Sequence, residues 1–184
     1  MSLFDTDPYS DAEIFAPAVY EGHTLPTYMI SNRGNMIGRF NKPMKGVIHH
    51  RICPYTRKRI PTAHIFDLSL PIELASKFYR EGYVPSDKGK MRLKDGSRRK
   101  MAKTIMAHRC VMETFSPLGS RPIEYWTQEE WDNTPDSIKT ILRSALQVDH
   151  IDCNPCNNDI RNLRWVTMKD NNNKIKKQIL KAHD

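Results

Sequence analysis

The chain has 184 residues, of which 39% are hydrophobic and 27% are charged. This length allows one globular domain with a sizeable core, or a smaller core with an appended module. The net charge of +8 and the pI near 9.4 point to a polyanionic partner, although a basic surface can also simply keep a protein soluble. No apolar run approaches the roughly 18 to 20 residues of a membrane span, so a helical membrane protein is excluded.

The N-terminal residues and the cysteines bear on the compartment. The opening MSLFDTDPYSDAEIF is acidic and lacks the basic-then-apolar order of a signal peptide. We interpret residues 1–25 as a loosely ordered or peripheral lead-in and expect the protein in the cytoplasm. Four cysteines in a chain of this size do not indicate a disulfide framework. They are Cys53, Cys110, Cys153 and Cys156.

The basic residues are concentrated in two segments. No acidic residue lies between Glu21 and Asp67, and the segment 88–109 carries nine Lys or Arg against one Asp. A surface that only keeps a protein soluble would mix the two signs, so this segregation favours contact with a phosphate backbone. The residues expected to contact DNA are Arg51, Arg57, Lys58, Arg59, Arg92, Arg98, Arg99, Lys100, Lys103 and Lys174.

The region 26–103 is predicted to be basic and β-rich. Within it, residues 26–40 alternate apolar and polar side chains on either side of the turn-forming SNRGN, which predicts a β-hairpin. A helix is predicted over 70–82, because Pro71 lies near its start and a glycine lies at its end. The remaining apolar stretches are short and punctuated by Gly and Pro, so no helix bundle is expected here.

The region 104–184 begins with a stretch of ambiguous structure. TIMAHRCVMETF (104–115) fits a strand or a helix, and its apolar positions match a helical face slightly better. An acidic insert over 118–146 follows, for which we predict a short helical pair. Thr127 and Glu130 have the spacing of a capping box for its first helix, and its second helix begins near a proline.

The last segment, VDHIDCNPCNNDIRNLRWVTMKDNN (148–172), predicts a strand, a loop, a second strand and a helix. The loop is rich in Asn, Asp and Pro, which are typical of turns. Thr167 and Asp170 have the spacing of a capping box at the start of the helix. The predicted order is therefore a ββα unit.

Two kinds of metal site compete for this segment. A structural Zn²⁺ needs four ligands in a closed tetrahedron. Cys153 and Cys156 supply two of them, and the sequence has no second Cys-x-x-Cys to supply the others. A hydrolytic Mg²⁺ instead needs oxygen ligands and open positions for water and phosphate. Asp149 offers such an oxygen, and the neighbouring His150 can take a proton from water near neutral pH.

The final helix is expected to add a further oxygen ligand. If this helix begins at Met168, Asn171 shares a face with Ile175 and Ile179, at steps of four residues. Those isoleucines should pack on the two strands, so Asn171 should point towards Asp149. Adjacent residues of a regular strand face opposite sides, so the strand is expected to twist or end at the Asp-His pair.

This combination resembles the HNH family of nucleases, whose active site lies on a ββα-metal fold. The likeness consists of Asp-His on the first strand, Asn-Leu-Arg-Trp entering the second and Asn on the helix. The spacing is most similar to the subgroup found in phage and intron-encoded homing endonucleases. The resemblance implies that Asp149 and Asn171 are metal ligands, that His150 is the general base and that Asn162 orients this histidine.

Two upstream segments are similar to the same proteins, and one position departs from them. AHRCVMETFSP (107–117) resembles the stretch that these proteins carry ahead of the motif, and YMISNRGNMIG (28–38) resembles their small N-terminal module. Cys153 stands where the subgroup usually has glycine. The acidic insert is also longer than the usual connection.

The resemblance implies an α+β protein with an N-terminal β-rich module, a helical insert and a C-terminal ββα-metal catalytic unit. The implied activity is that of a metal-dependent DNA endonuclease, a hydrolase that uses one Mg²⁺ or Mn²⁺ and binds double-stranded DNA. A monomer would nick, and a dimer could cut both strands. The alternative is a basic nucleic-acid-binding protein without catalysis, in which the ββα unit is structural and stabilised by zinc.

Overall fold

The computed structural model describes residues 7–53, 57–78, 100–118 and 127–173. Their strands form three small sheets, two of three strands and one of two, and all strand pairs are antiparallel. Short helices connect and cover these sheets. The predicted mixture of helix and sheet is confirmed. Among the described residues, no helix is long and apolar enough to cross a bilayer.

The first sheet contains a strand that the sequence analysis did not predict. Its strands are Phe15–Tyr20 (β1), His23–Ser31 (β2) and Met36–Ile37 (β3). β1 falls within the segment interpreted as a lead-in, but Ala16, Ala18 and Tyr20 are buried in the core, so that interpretation is wrong for these residues. Pro17 argues against a strand in the sequence; it is accommodated because β1 is an edge strand whose register shifts at this proline. The predicted hairpin of β2 and β3 is confirmed.

The second sheet continues at one end into a two-stranded hairpin. Its strands are Val47–Ile52 (β4), Arg59–Pro71 (β5) and Lys100–Met106 (β6). β4 pairs with the first half of β5 and β6 with the second half, so the ends of β4 and β5 extend beyond β6. The helix predicted over 70–82 begins directly after Pro71, as a single turn (α1, Ile72–Ala75) followed by a 3-10 turn (Ser76–Phe78). The rest of that prediction lies outside the described residues.

The ambiguous stretch 104–115 contains both a strand and a helix. β6 ends at Met106, and the helix α2 (Ala107–Phe115) begins at the next residue. α2 is largely buried and packs on β1. The Thr114 hydroxyl accepts a hydrogen bond from Val19 N at 2.9 Å, and Glu113 accepts one from Gly22 N at 3.1 Å. α2 is thus tied to the first sheet by polar as well as apolar contacts.

The C-terminal part has the predicted order of elements. The insert forms the helices Gln128–Asp132 (α3) and Asp136–Ala145 (α4), and the strands Gln147–His150 (β7) and Leu163–Val166 (β8) follow, with residues 168–173 helical. The two helix starts predicted from the spacing of capping residues, at Thr127 and at Thr167, are confirmed. Thr127 and Glu130 form a capping box, and the Thr167 hydroxyl accepts a hydrogen bond from Asp170 N at 3.2 Å.

α2 also holds the strand pair of β7 and β8. The Trp165 indole of β8 donates to Ser116 O at 2.9 Å, directly after α2. The Arg109 guanidinium lies over the Trp165 ring, 5.6 Å from its centre, and donates to Leu146 O at 3.3 Å, directly before β7. Because α2 contacts the first sheet on one side and this strand pair on the other, it fixes the position of the ββα unit.

Candidate active site

The Asp-His pair lies at the end of β7 and is buried. Asp149 is 7% exposed and His150 is 8% exposed. In the pairing with β8, Asp149 lies opposite Arg164 and His150 lies opposite Leu163. β7 ends at His150, as expected for two neighbouring residues that contribute to one site. We call Asp149, His150, Asn171 and the side chains that contact Asp149 and His150 the candidate centre.

One face of β7 carries Asp149 and is contacted by Asn171. Gln147 and Asp149 are two residues apart on the strand and therefore project to the same side. The Asn171 amide donates from Nδ2 to Gln147 Oε1 at 2.7 Å, so the helical segment places Asn171 on that side. Arg164 Nε lies 3.0 Å from Asp149 Oδ2 and donates to it. This face thus carries a buried carboxylate, an amide and a guanidinium.

The imidazole of His150 is oriented by an asparagine of the loop. Asn158, only 3% exposed, places Oδ1 at 3.1 Å from His150 Nε2. Its Nδ2 donates to Cys156 O at 3.4 Å, which fixes which end of the amide faces the histidine. Since an amide oxygen only accepts, this contact favours the tautomer with the proton on Nε2, in which Nδ1 is the basic nitrogen.

Asn162 does not make the contact that the resemblance implied. Its side chain accepts from Asp152 N at 3.0 Å and donates to Asp152 Oδ1 and Asn157 O, both at 2.9 Å. Asn162 lies immediately before β8, where its amide faces the backbone of the loop and not the imidazole. It therefore closes the loop, and the histidine contact is made by Asn158. The pKa of Asp152 is lowered by hydrogen bonds to its carboxylate, foremost from Asn157 Nδ2 at 2.8 Å, then from Asn154 N and Asn162.

A second histidine lies against the first. The His108 ring, from the first turn of α2, meets the His150 ring at an angle of 74° with 5.1 Å between their centres. Burial is the main cause that lowers the pKa of His108 to about 3, with smaller contributions from the neighbouring His150 and Arg109. Its Nδ1 is buried and has no hydrogen-bond partner among the described residues. At neutral pH the ring of His108 is therefore uncharged and places no positive charge beside His150.

The oxygen donors of the candidate centre suit a hard divalent cation. A carboxylate and an amide oxygen match the preference of Mg²⁺, which keeps several waters and takes substrate phosphate as a further ligand. The Asn171 amide donates through Nδ2 to Gln147, so its oxygen is the atom that can coordinate. Within the described ranges, no group of three or more His, Cys, Asp or Glu could hold a metal ion.

The two cysteines of the loop are exposed, and neither forms a disulfide within the described residues. Cys153 has a left-handed backbone conformation with φ of 67°, which explains why glycine is usual at this position in the subgroup that the sequence resembles. Cys110 is buried in α2, and burial raises the pKa of its thiol to about 12, so it is not predisposed to bind metal as a thiolate.

The residues expected to contact DNA differ in their surroundings. Four are exposed at the end of the hairpin of β4 and β5, and we call them the basic hairpin: Arg51, Arg57, Lys58 and Arg59. Lys103 is different, because its ammonium lies 3.7 Å from Glu21 and over the rings of Tyr20 and Phe78. Lys100 is a residue of β6. The predictions for Arg92, Arg98, Arg99 and Lys174, and for Ile175 and Ile179, lie outside the described residues.

Three residues of the candidate centre were not predicted from the sequence, namely Asn158, His108 and Arg164. Asn158 belongs to a tract of several Asn and Asp, and the sequence offers no local reason to prefer one of them. The one hint for His108 is its place in the AHRCVMETFSP stretch, which is itself part of the resemblance.

Comparison with known protein families finds a match in the C-terminal part of the chain. The family described as HNH endonuclease matches residues 142–173. No curated protein matches the chain. Among solved structures, the chain is similar to the one described as "DNA binding and cleavage by the HNH homing endonuclease I-HmuI", with 20% sequence identity and a TM-score of 0.36; the match covers 85% of this chain and 54% of that chain, about half its length. Residues 142–173 contain β7, the loop, β8 and the start of the helix, so the segment that is similar to the HNH endonuclease family is the one that carries Asp149 and His150.

Proposed function

We propose that the protein is a metal-dependent DNA endonuclease of the homing type, encoded by a phage or an intron, which hydrolyses phosphodiester bonds. The observation that carries the proposal is the buried pair of Asp149 and His150 at the end of β7, with Asn158 directed at the imidazole. Buried polar side chains with defined partners are typical of sites that need a fixed geometry. The family match over the same segment supports a nuclease.

His150 is the general base of the proposed reaction. Asn158 Oδ1 holds the proton on Nε2, so Nδ1 accepts a proton from the water that attacks the phosphorus. His108 packs its neutral ring against the imidazole and limits its rotation. A general base of this kind typically contributes 10²- to 10⁴-fold to a rate.

Asp149 and Asn171 are the proposed ligands of one Mg²⁺ or Mn²⁺. When bound, such a cation supplies charge stabilisation to the phosphate and to the departing 3′ oxygen. Arg164 holds the Asp149 carboxylate through Oδ2, at 3.0 Å, and so orients it for binding. Gln147 orients the Asn171 amide in the same way.

Double-stranded DNA is the proposed substrate. The basic hairpin presents four exposed cations, and the surrounding sequence from Glu21 to Asp67 has no acidic residue. Such a surface binds phosphates with an affinity that falls steeply as salt rises. A single copy of the motif in the sequence predicts that a monomer nicks one strand.

The test is incubation of supercoiled plasmid with the purified protein and Mg²⁺ or Mn²⁺, with and without a chelator. We expect nicking that requires the cation and that falls about 10²- to 10⁴-fold in His150→Ala. His23→Ala, a histidine on β2 outside the candidate centre, should nick as the wild type does. A wild type that nicks no faster than His150→Ala would show that the protein binds nucleic acid without cutting it.

A further inference from the structure

An aromatic side chain projects from the first sheet into solvent. Phe40 lies in the 3-10 turn Arg39–Asn41, which follows β3, and is 88% exposed. It is the most exposed large apolar side chain of the described residues. Single exposed apolar residues are common and need no explanation, so the exposure acquires meaning only from the backbone, the charges and the position of this turn.

The backbone holds the Phe40 side chain outward in an unfavourable conformation. Phe40 and Asn41 have φ of 61° and 56°, in the left-handed region that a bulky residue such as Phe avoids. Two hydrogen bonds close the base of this turn, from Gly38 N to Lys42 O at 2.9 Å and from Met44 N to Met36 O at 2.8 Å. These two hydrogen bonds fix the conformation of the turn. Backbone strain from a positive φ at a bulky residue is concentrated at functional sites.

The charges around Phe40 match DNA better than they match an apolar protein surface. Arg39, Lys42 and Lys45 are exposed on the same segment, which lies within the stretch that lacks acidic residues. Apolar residues, among them Leu25 and Ile37, line a pocket together with Phe40, so the choice of DNA over a protein partner rests on the cations of this segment. An apolar ring flanked by cations is the arrangement of proteins that insert a wedge between base pairs while cations hold the phosphates.

The turn lies close enough to the candidate centre to contact the same duplex. The turn between β2 and β3 abuts the loop of the candidate centre, because Ile160 N donates to Asn32 O at 2.8 Å and a Cβ on Gly34 would lie 2.5 Å from Asn158 Cβ. Phe40 is six residues after Gly34, a reach of at most about 20 Å. At about 3.4 Å per base pair, this corresponds to at most about six base pairs.

We propose that Phe40 is a wedge that inserts between stacked base pairs a few steps from the scissile phosphate, with Arg39, Lys42 and Lys45 on the flanking phosphates. This inference rests on the proposed function for the identity of the polymer. Insertion unstacks one step and bends the duplex towards the candidate centre. The wedge does not read the sequence directly, and it favours steps that unstack easily.

The experiment measures unwinding of closed circular plasmid in the presence of a chelator, so that no cutting is needed. Relaxed plasmid is mixed with the full-length protein and a topoisomerase that needs no metal, and the topoisomers are separated after removal of protein. We expect the wild type to shift the distribution. Phe40→Ala should abolish the shift and weaken plasmid binding about tenfold, as expected for loss of one stacked side chain, while Phe40→Trp should retain both.

Two controls separate the wedge from a folding defect and from the proposed function. Phe40→Gly should raise the melting temperature, because glycine tolerates a positive φ, and should still lose the shift. Ile141→Ala removes a side chain that is 61% exposed on α4 and should unwind as the wild type does. A wild type that nicks with Mg²⁺ yet produces no shift, or a Phe40→Ala protein with a full shift, overturns the wedge alone. Nicking that is absent despite a shift overturns the nuclease and supports the wedge.

Discussion

The charged and polar groups of the candidate centre and those of the basic hairpin lie in opposite surroundings. Asp149 and His150 are buried, and each has a named partner, Arg164 and Asn158. The four cations of the basic hairpin are exposed at the end of two strands. The function proposed for the candidate centre therefore depends on the positions of its atoms. The function proposed for the basic hairpin depends on the number of its charges.

This difference determines how each region should respond to change. A buried polar group that loses its partner is left unsatisfied at a substantial free-energy cost, and a misplaced base loses reactivity steeply. Exposed cations act through a long-range field that salt screens, so the loss of one of them changes affinity modestly. Substitutions in the candidate centre should thus change the rate of cutting, and those in the basic hairpin should change affinity.

The largest effect is expected from removal of the proposed metal ligand. Mg²⁺ or Mn²⁺ that binds only the folded protein should stabilise it by about 2.7 kcal/mol at a concentration one hundred times Kd. Asp149→Asn removes the carboxylate charge and should abolish both this stabilisation and nicking. Thermal unfolding with and without the cation measures the first effect without any DNA.

A matched carboxylate provides the control for this measurement. Asp132→Asn changes an exposed residue at the end of α3 and should keep the full stabilisation by the cation. If Asp149→Asn were stabilised by Mg²⁺ as strongly as the wild type, Asp149 would not be a ligand.

A smaller but clear effect is expected from the asparagine that faces the histidine. Asn158→Leu leaves His150 Nε2 without its acceptor and removes the constraint on the proton, so the nicking rate at saturating DNA should fall about 10- to 100-fold. DNA affinity should not change, because Asn158 is buried. Single-turnover rates and equilibrium binding separate the two quantities.

The same substitution at an exposed asparagine tests whether the effect is local. Asn133→Leu, after α3, should leave the rate unchanged. Weaker DNA binding by Asn158→Leu with an unaltered rate would contradict the assigned role.

The next effect concerns stability and pH. The pKa of His108 is lowered to about 3 in the folded protein by burial, against about 6.5 for an unperturbed histidine. As pH falls below about 6.5, the unfolded chain binds a proton that the folded protein does not, so the stability present at higher pH is progressively lost. At pH 5.5 the loss should be about 1 kcal/mol relative to pH 7.5.

His108→Leu keeps an apolar side chain at this position and removes the titrating group. The free energy of unfolding of His108→Leu should therefore change less between pH 7.5 and 5.5 than that of the wild type. Other titrating groups, such as Glu113, contribute equally to the pH dependence of the wild type and of His108→Leu. Urea unfolding at pH 5.5 and 7.5 measures the difference. An equal loss of stability in both proteins between these pH values would rule out a buried neutral His108.

The features that the sequence predicted are those whose determinants lie within a few residues. The capping pairs at Thr127 and Thr167 follow a three-residue spacing, and both helices begin where that spacing indicates. The ββα order follows from apolar runs that flank a loop of turn-forming residues. β1 was missed because Pro17 disfavours a strand locally, and only the position of β1 at the sheet edge makes this proline tolerable.

Features that depend on distant contacts were not predictable in this way. The selection of Asn158 over Asn162 depends on how the loop folds back on itself, where Asn162 is held by Asp152. His108 reaches His150 only because α2 packs on the strand pair. The sequence predicted that Lys103 contacts DNA, like the other cations of its segment. In the structure its ammonium lies near Glu21.

The smallest effect should separate two cations that the sequence treats alike. Arg51→Ala removes an exposed charge of the basic hairpin, so the slope of log affinity against log salt should fall by about 1, with an unchanged nicking rate at saturating DNA. Lys103→Met keeps the packing over Tyr20 and Phe78 and should leave that slope as in the wild type, because the ammonium already lies near Glu21. Titrations at several salt concentrations measure both slopes. If both substitutions lowered the slope equally, Lys103 would also contact phosphate. The different surroundings of Arg51 and Lys103 would then not determine their contribution to DNA binding.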